Sequence, residues 1–175
     1  TDPSNMKKID SIKVDARTVN DVKVSQDGKI AIISREGASN RKNGIFILDV
    51  TNPYDVQVLA EYTKNLTGGV HNLFIDNEHV YVLGSGERYY VLNIEDPSNP
   101  VEVGMFELGK EGQSIHDVWI EDGIAYSSNW KDGVYLVDVG NGIAGGSPSN
   151  PVAFADYTYA CLLYTSDAAD ERHGV

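Results

Sequence analysis

Cysteine, long apolar runs and basic residues are all scarce in this chain of 175 residues. The single cysteine, Cys161, lies near the C-terminal end, so disulfides and thiolate metal sites are excluded for the residues before it. No apolar run approaches the roughly 18–20 residues that span a bilayer. Lys and Arg number 14 against 26 Asp and Glu, which gives a formal net charge of −12. Such an acidic chain repels phosphate backbones and anionic lipid surfaces, so no nucleic acid is expected as a partner.

The motifs of several enzyme classes are also missing. The sequence has no glycine-rich phosphate loop between a strand and a helix, and no G-x-S-x-G nucleophile elbow. Asp27-Gly28 and Asp122-Gly123 fit hairpin turns, because the spacing of a calcium loop does not surround them. The residues therefore offer no catalytic signature of a known type.

A unit of about 45 residues recurs along the chain. Two clear copies begin around His71 and His116, which are 45 residues apart. An earlier and more diverged copy has Asn20 in the place of the histidine. Each copy contains short β-branched and aromatic runs without helical periodicity, separated by Gly, Pro, Asn and Asp. A period in this range that is filled with strands is typical of propeller blades.

The repeat predicts an all-β fold, a partial β-propeller of four-stranded antiparallel blades of about 45 residues. Residues 1–14 are predicted to contain the last strand of a truncated upstream blade, and the three following blades span 15–66, 67–110 and 111–160. In the third blade the strands are predicted at 118–120, 124–126, 134–139 and 152–157. Trp119 and Tyr126 alternate with apolar neighbours in these strands, so they are predicted to be core residues.

The last residues, 161–175, depart from the repeat. The stretch from Cys161 to Glu171 reads as the translation of a transposase adapter that is used in sequencing libraries. We therefore interpret 161–175 as a non-native, disordered tail and leave it out of the fold argument.

The third-strand segments 45–50 and 135–139 resemble the LVIVD repeat, as does the segment 96–104. The His-Asp-Val opening at His116 is typical of the same repeat family. The resemblance covers about residues 1–157. It implies a β-propeller of a secreted or surface-attached bacterial or archaeal protein, and it implies no common catalytic activity. The first copy departs from the family pattern at Asn20 and in a longer loop at 34–43.

In a propeller blade the first strand lines the central channel. The loop that leads into this strand opens on the same face as the loop between the second and third strands. Two sets of polar side chains are thus expected at one channel mouth, a concave place that ligand sites prefer. The set at the start of the first strands is Asn20, Asp21, His71, Asn72, His116 and Asp117. The set on the surrounding loops is Arg35, Glu36, Arg88, Asn129, Trp130 and Lys131.

Two interpretations of the histidines stay open. His71 and His116 could share one divalent metal ion, with Asp117 as a ligand or as the group that orients a ligand. Alternatively, each histidine hydrogen-bonds a neighbouring strand and fixes the join between blades, which is the commoner role of a residue that recurs in a repeat. Trp130 could stack on a sugar or a peptide, or pack within its loop.

The sequence favours a non-enzymatic, extracytoplasmic propeller, whether secreted, periplasmic or on the cell surface. It would act as a binding or scaffolding module for a protein, peptide or glycan ligand, without a cofactor. The alternative is a metal-dependent propeller enzyme, a hydrolase or an oxidase, in which the histidines at the channel mouth hold a divalent metal. Enzymatic activity stays open, with the non-enzymatic interpretation preferred.

Overall fold

The computed structural model describes residues 3–84, 86–109 and 113–158. The tail interpretation of 161–175 therefore lies outside the described residues. Apart from two short 3-10 helices, Pro3–Asn5 and Trp130–Asp132, the described regular structure is all strand. The strands are β1 (Val22–Val24), β2 (Ile30–Arg35), β3 (Gly44–Asp49), β4 (Gln57–Tyr62), β5 (Leu73–Asp76), β6 (His79–Leu83), β7 (Arg88–Asn93), β8 (Val101–Glu107), β9 (Asp117–Glu121), β10 (Ile124–Ser128), β11 (Val134–Asp138) and β12 (Val152–Tyr157).

These strands form three antiparallel sheets of four strands each, and every sheet runs in chain order. Sheet 1 contains β1 to β4, sheet 2 contains β5 to β8, and sheet 3 contains β9 to β12. The first strands of neighbouring sheets contact each other, β1 with β5 and β5 with β9. The all-β prediction and the four antiparallel strands per repeat are confirmed. No helix in the described ranges is long and apolar enough to cross a membrane.

The three sheets share details that follow from the repeat. Each has a register shift between its third and fourth strands, after Ile47, Val91 and Leu136 respectively. These residues are 44 and 45 positions apart, so the bulge recurs with the sequence period. Two-residue turns join the first two strands of sheets 2 and 3, and in sheet 3 Asp122 and Gly123 both have positive φ angles, 50° and 71°. A two-residue turn of this kind matches the twist of the flanking strands.

Two apolar clusters lie between the sheets. Ile32 and Ile47 of sheet 1 pack with Leu73 and Val80 of sheet 2. On the opposite face of sheet 2, a second cluster joins it to sheet 3, and its buried members include Tyr81, Tyr89, Val91, Val118, Ala125 and Val137. Each fully buried Val, Leu or Ile contributes about 1.5–3 kcal/mol, so these clusters hold the sheets face to face.

The outward face of sheet 1 is covered by the segment that precedes it. Ile12 and Val14 pack against the buried residues Ala31, Ile33 and Leu48. The repeat predicts an outer strand at 7–14, but the structure assigns no strand there. The described residues hold no neighbouring strand that pairs with this segment, whereas its apolar side chains still contact the sheet.

One prediction about the core is wrong. Trp119 is 59% exposed and Tyr126 is 40% exposed, although both were expected in the core. Alternation along a strand divides its side chains between two faces. Within the described ranges, another sheet covers only one face of sheet 3, the one that carries Val118 and Ala125.

Candidate functional site

The start of β1 is fixed by one hydroxyl group. The backbone N–H groups of Asn20 and Asp21 both donate to the Oγ of Ser34, at 2.9 and 2.8 Å. Ser34 is buried at the end of β2, next to Arg35. Sequence analysis missed this serine, and the available signal was its position opposite Asp21 in the predicted hairpin.

Asn20 links three parts of the chain. Its side-chain amide donates to the Oε2 of Glu36 at 2.9 Å and to the carbonyl oxygen of Val70 at 3.3 Å. Glu36 also binds the guanidinium of Arg17. Since Val70 immediately precedes His71, the amide of Asn20 connects the first repeat to the histidine position of the second.

Asp21 joins sheet 1 to sheet 2. Its Oδ2 accepts the backbone N–H of Leu73 at 3.0 Å, and Lys23 donates to both carboxylate oxygens at 2.8 Å. The corresponding residue of the second repeat, Asn72, has its Oδ1 buried and without a hydrogen-bond partner among the described residues. In the first copy, the acidic side chain at this repeat position therefore links sheet 1 to sheet 2.

Asp117 occupies the same repeat position in the third copy. Its Oδ1 accepts the backbone N–H of Val118 at 2.7 Å. Burial raises the pKa of Asp117, and the negative charge of Asp21 acts in the same direction. The backbone N–H of Val118 opposes this rise, and so does the electrostatic influence of Lys23 and His116. The charged side chains at the start of β1 therefore act electrostatically on Asp117 of β9.

The two histidines of the repeat come together. The ring centroids of His71 and His116 are 5.0 Å apart, with an angle of 47° between the planes. His116 also contacts Trp130, with centroids 4.3 Å apart and an edge-on angle of 66°. One line of contacts therefore runs from His71 through His116 to the Trp130 indole.

Trp130 stands on a loop with an unusual backbone. Its φ angle is +47°, which is rare for a bulky side chain, and its side chain is 48% exposed. The preceding Asn129 is fully buried, and its Oδ1 accepts the hydroxyl of Ser127 at 2.9 Å. The N–H of Asn129 donates to the carbonyl oxygen of Gly133 at 2.8 Å, which closes the loop, and Lys131 is exposed beside it.

Arg35 and Arg88, the two arginines of the predicted loop set, each form an ion pair with a glutamate of their own sheet. Arg35 is only 2% exposed, and its guanidinium binds the carbonyl oxygen of Asp15 at 2.8 Å and the carboxylate of Glu61. Its guanidinium carbon also lies 5.2 Å from the ring centre of Phe46. Arg88 pairs with Glu107. Arg35 therefore supports the end of β2.

Arg88 also lines a surface depression of about 280 Å³ on sheet 2. It lies where the connection between sheets 1 and 2 meets the loop between β6 and β7. Its lining is polar and glycine-rich: Asn65, Thr67, Gly68, Gly84, Gly86, Glu87, Arg88 and Tyr90. The amide of Asn65 is held by Glu102, at 3.2 and 3.0 Å from its two carboxylate oxygens.

The described residues contain no group of three or more His, Cys, Asp or Glu side chains placed to hold a metal ion. The arrangement around Trp130 instead combines an exposed aromatic ring with two imidazole groups, which can stack on a ligand and hydrogen-bond its edges. Comparison with known proteins gives no match to a family model and none to a curated protein.

Proposed function

We propose that the chain is an arc of a β-propeller. Three features support this proposal: the contacts between successive first strands, the face-to-face packing of the sheets, and the bulge that recurs with the repeat. The outer strands are also tied, since the hydroxyl of Tyr62 donates to the Oε2 of Glu102 at 2.9 Å. In such an arc the starts of the first strands form one rim of the channel.

We further propose that this rim makes the protein a binding or scaffolding module, without an enzymatic role. The observation that carries the proposal is Trp130, a half-exposed indole held edge-on to His116 at a strained backbone position. A left-handed conformation costs a non-glycine residue about 1–2 kcal/mol. Strain of this kind is concentrated at functional sites, because the surrounding structure must hold it in place.

The ligand that fits this surface has a flat apolar face and polar edges, as a sugar ring or a peptide has. It would stack on the indole of Trp130, while the imidazoles of His116 and His71 offer polar groups beside it. An extracytoplasmic location is part of the same proposal. The resemblance to surface and secreted propellers and the lack of cysteine before Cys161 support that location.

The test is a screen of the purified chain on oligosaccharide and peptide arrays, followed by variants. Trp130→Ala is expected to weaken any binding at least about tenfold, as the removal of a central aromatic anchor does. Tyr54→Ala is the matched control, because Tyr54 is an exposed aromatic in the turn between β3 and β4. Binding that survives Trp130→Ala, or no binding on either array, would count against the proposed site.

A second candidate is supported by the distance of 5.0 Å between the rings of His71 and His116. Two imidazoles from neighbouring repeats at this separation could share a divalent metal, as a hydrolase or an oxidase would require. Titration calorimetry with Zn²⁺ and Cu²⁺ distinguishes the candidates. Metal binding that is lost in His71→Ala and in His116→Ala, but retained in His79→Ala, would favour the metal site; absence of binding would end it.

A further inference from the structure

The third strand of each sheet has an aromatic residue at the same place, next to the register shift. These residues are Phe46, Tyr90 and Tyr135. Each is paired across the sheet with a residue of the second strand, which is Ile33, Val82 and Ser127 respectively. The residues two positions after these partners therefore occupy one equivalent place in the repeat, and they are Arg35, Gly84 and Asn129. This place has a different side chain in each copy, whereas the third strand keeps its aromatic residue.

In sheet 1 a buried guanidinium group occupies this place. The guanidinium carbon of Arg35 lies 5.2 Å from the ring centre of Phe46, which is within the range of a cation–π contact. Its Nε donates to the carbonyl oxygen of Asp15 at 2.8 Å, on the segment that leads into sheet 1. Its other nitrogens bind the carboxylate of Glu61 and, at 3.1 Å, the Oδ1 of Asn40. An aromatic ring and oxygen acceptors therefore surround a planar cation with several N–H donors.

In sheet 2 the depression of about 280 Å³ lies at the same place. Gly84 and Tyr90 both line it, and a β-carbon at Gly84 would lie 3.1 Å from the Cε2 of Tyr90. Asn65 and Thr67 line it from the segment that leads into sheet 2, as Asp15 belongs to the segment that leads into sheet 1. The depression therefore corresponds to the Arg35 position, with glycine in place of the arginine and with the aromatic ring retained.

In sheet 3 a carboxamide occupies the equivalent place. Asn129 is fully buried, and its Oδ1 accepts the hydroxyl of Ser127 at 2.9 Å. Its Nδ2 is buried without a hydrogen-bond partner among the described residues. Two of the three copies thus bury a planar group with N–H donors here, the guanidinium of Arg35 and the amide of Asn129. The place in the repeat is therefore suited to such a group.

The charges around the depression favour a cation. Glu87 and Arg88 line it, and the carboxylate of Glu107 binds the guanidinium of Arg88. Glu102, which holds the amide of Asn65, lies 3.8 Å from the Nζ of Lys64. Among the described residues, three carboxylates thus stand against two cations at this place. The whole chain also has a net charge of −12, so its field attracts a positively charged group.

We propose that the depression on sheet 2 binds an arginine side chain of a partner protein or peptide. The guanidinium of the partner lies against the ring of Tyr90, as that of Arg35 lies against Phe46. The carboxylate of Glu87 and the side-chain oxygens of Asn65 and Thr67 are the acceptors for its N–H groups. A volume of about 280 Å³ is smaller than the pockets of about 300–1,000 Å³ that hold drug-sized ligands, so it suits a single side chain. This site is separate from the Trp130 surface and does not depend on a ligand there.

Titration of the purified chain with the peptide acetyl-Gly-Arg-Gly-amide, followed by NMR chemical shifts, tests the proposal. The backbone amide signals of Gly84, Gly86 and Tyr90 are expected to shift in a saturable way. The matched peptide with citrulline keeps the planar side chain but has no charge. It should bind at least about tenfold more weakly, because charge-assisted hydrogen bonds are roughly twice as strong as neutral ones. The lysine peptide should also bind more weakly, since an ammonium lacks the planar arrangement of donors.

Two sets of variants locate the binding. Gly84→Arg supplies the guanidinium from the chain itself and should raise the dissociation constant of the arginine peptide at least about tenfold. The backbone at Gly84 is not left-handed, so an arginine there needs only a small shift of the Tyr90 ring. Tyr54→Arg, in the exposed turn between β3 and β4, adds the same charge elsewhere and should leave binding unchanged. Tyr90→Phe should retain binding, as Phe46 does for Arg35, whereas Tyr90→Leu should weaken it about fivefold.

Four results would overturn the proposal. They are the absence of saturable shifts around Gly84, equal affinity for the arginine and citrulline peptides, equal affinity for the arginine and lysine peptides, and a folded Gly84→Arg variant that binds as the unmodified chain does. If Gly84→Arg fails to fold, the two Tyr90 variants decide, and equal binding by both of them would contradict the proposed contact.

Discussion

Alanine substitutions at one repeat position in two different sheets distinguish a sheet face that another sheet covers from a face that no described sheet covers. Ile47 and Leu136 occupy equivalent places in the third strands of sheets 1 and 3, and the two side chains have the same number of carbon atoms. Ile47 is fully buried between sheets 1 and 2, whereas Leu136 is only half-buried on the open face of sheet 3. The two substitutions to alanine therefore differ mainly in whether another sheet packs on the residue.

Ile47→Ala removes buried methyl groups and leaves a cavity, which costs about 2–5 kcal/mol of the free energy of unfolding. For a chain of this size, about 3 kcal/mol lowers the Tm by roughly 6–12 °C. Because Leu136 is only half-buried, Leu136→Ala loses only part of the side chain's transfer free energy and leaves no enclosed cavity. We therefore expect the free energy of unfolding to fall by about 1 kcal/mol.

Thermal and urea unfolding of both variants, monitored by circular dichroism at low protein concentration, measure this difference. Equal losses of stability in the two variants would refute the assignment of one face as covered and the other as open.

Three further outcomes follow from single groups. Tyr89→Phe removes a fully buried hydroxyl without a hydrogen-bond partner among the described residues, so the Tm should rise by roughly 2–4 °C, for about 1 kcal/mol. Gly104→Val should lower the free energy of unfolding in urea by about 1–3 kcal/mol, because a β-carbon there would lie 2.2 Å from the carbonyl oxygen of Pro148. Gly109→Val should leave this free energy unchanged, because a β-carbon at Gly109 meets open space. Burial alone would raise the pKa of Asp138, but four backbone N–H groups hold this pKa well below its usual 3.8. The stability that these N–H groups supply is therefore present above pH 3.8 and is lost as the pH falls through the folded-state pKa. Asp138→Asn should therefore lower the Tm at pH 7 and flatten its fall in acid; an unchanged acid limb in melts from pH 7 to pH 2 would contradict this.

The strands and turns of the fold follow closely from the sequence. The predicted third-repeat strands match β9 to β12 within two residues at each end, because alternating β-branched and aromatic residues are bounded there by strong turn residues. Asp122-Gly123, for example, takes the positive φ angles that its residue types favour. Local chemistry decides features of this kind, so one sequence is enough to predict them.

Features that depend on neighbouring sheets were beyond the same reasoning. The alternation around Trp119 shows that it faces one side of a strand, but it does not show whether a further sheet covers that side. Arg35 was predicted on a channel loop from its position alone. Its burial depends on partners 20 and 26 residues away, Asp15 and Glu61, that no local pattern connects.

The loop after Asp138 is a third feature, after Trp119 and Arg35, whose structure could not be predicted from the sequence. The Gly- and Ser-rich insertion after β11 could be recognised as a connection, yet its form is set by one carboxylate. The Oδ1 accepts the N–H groups of Gly140 and Gly142 at 3.0 and 3.1 Å, and the Oδ2 accepts those of Ala144 and Gly146 at 2.7 and 3.0 Å. Glycine-rich composition indicates flexibility, whereas here it lets the backbone wrap closely around a buried anion.

The central claim is that the starts of the first strands meet, so that residues one repeat apart form a single surface. Nuclear Overhauser contacts between ring protons test it most directly, since the ring centroids of His71 and His116 lie 5.0 Å apart and those of His116 and Trp130 lie 4.3 Å apart. The account predicts cross-peaks for both pairs, together with cross-strand peaks such as that between Val22 and Ile33 within sheet 1. Intact cross-strand peaks with neither ring contact would contradict it, because the sheets would then be folded without bringing the repeat positions together.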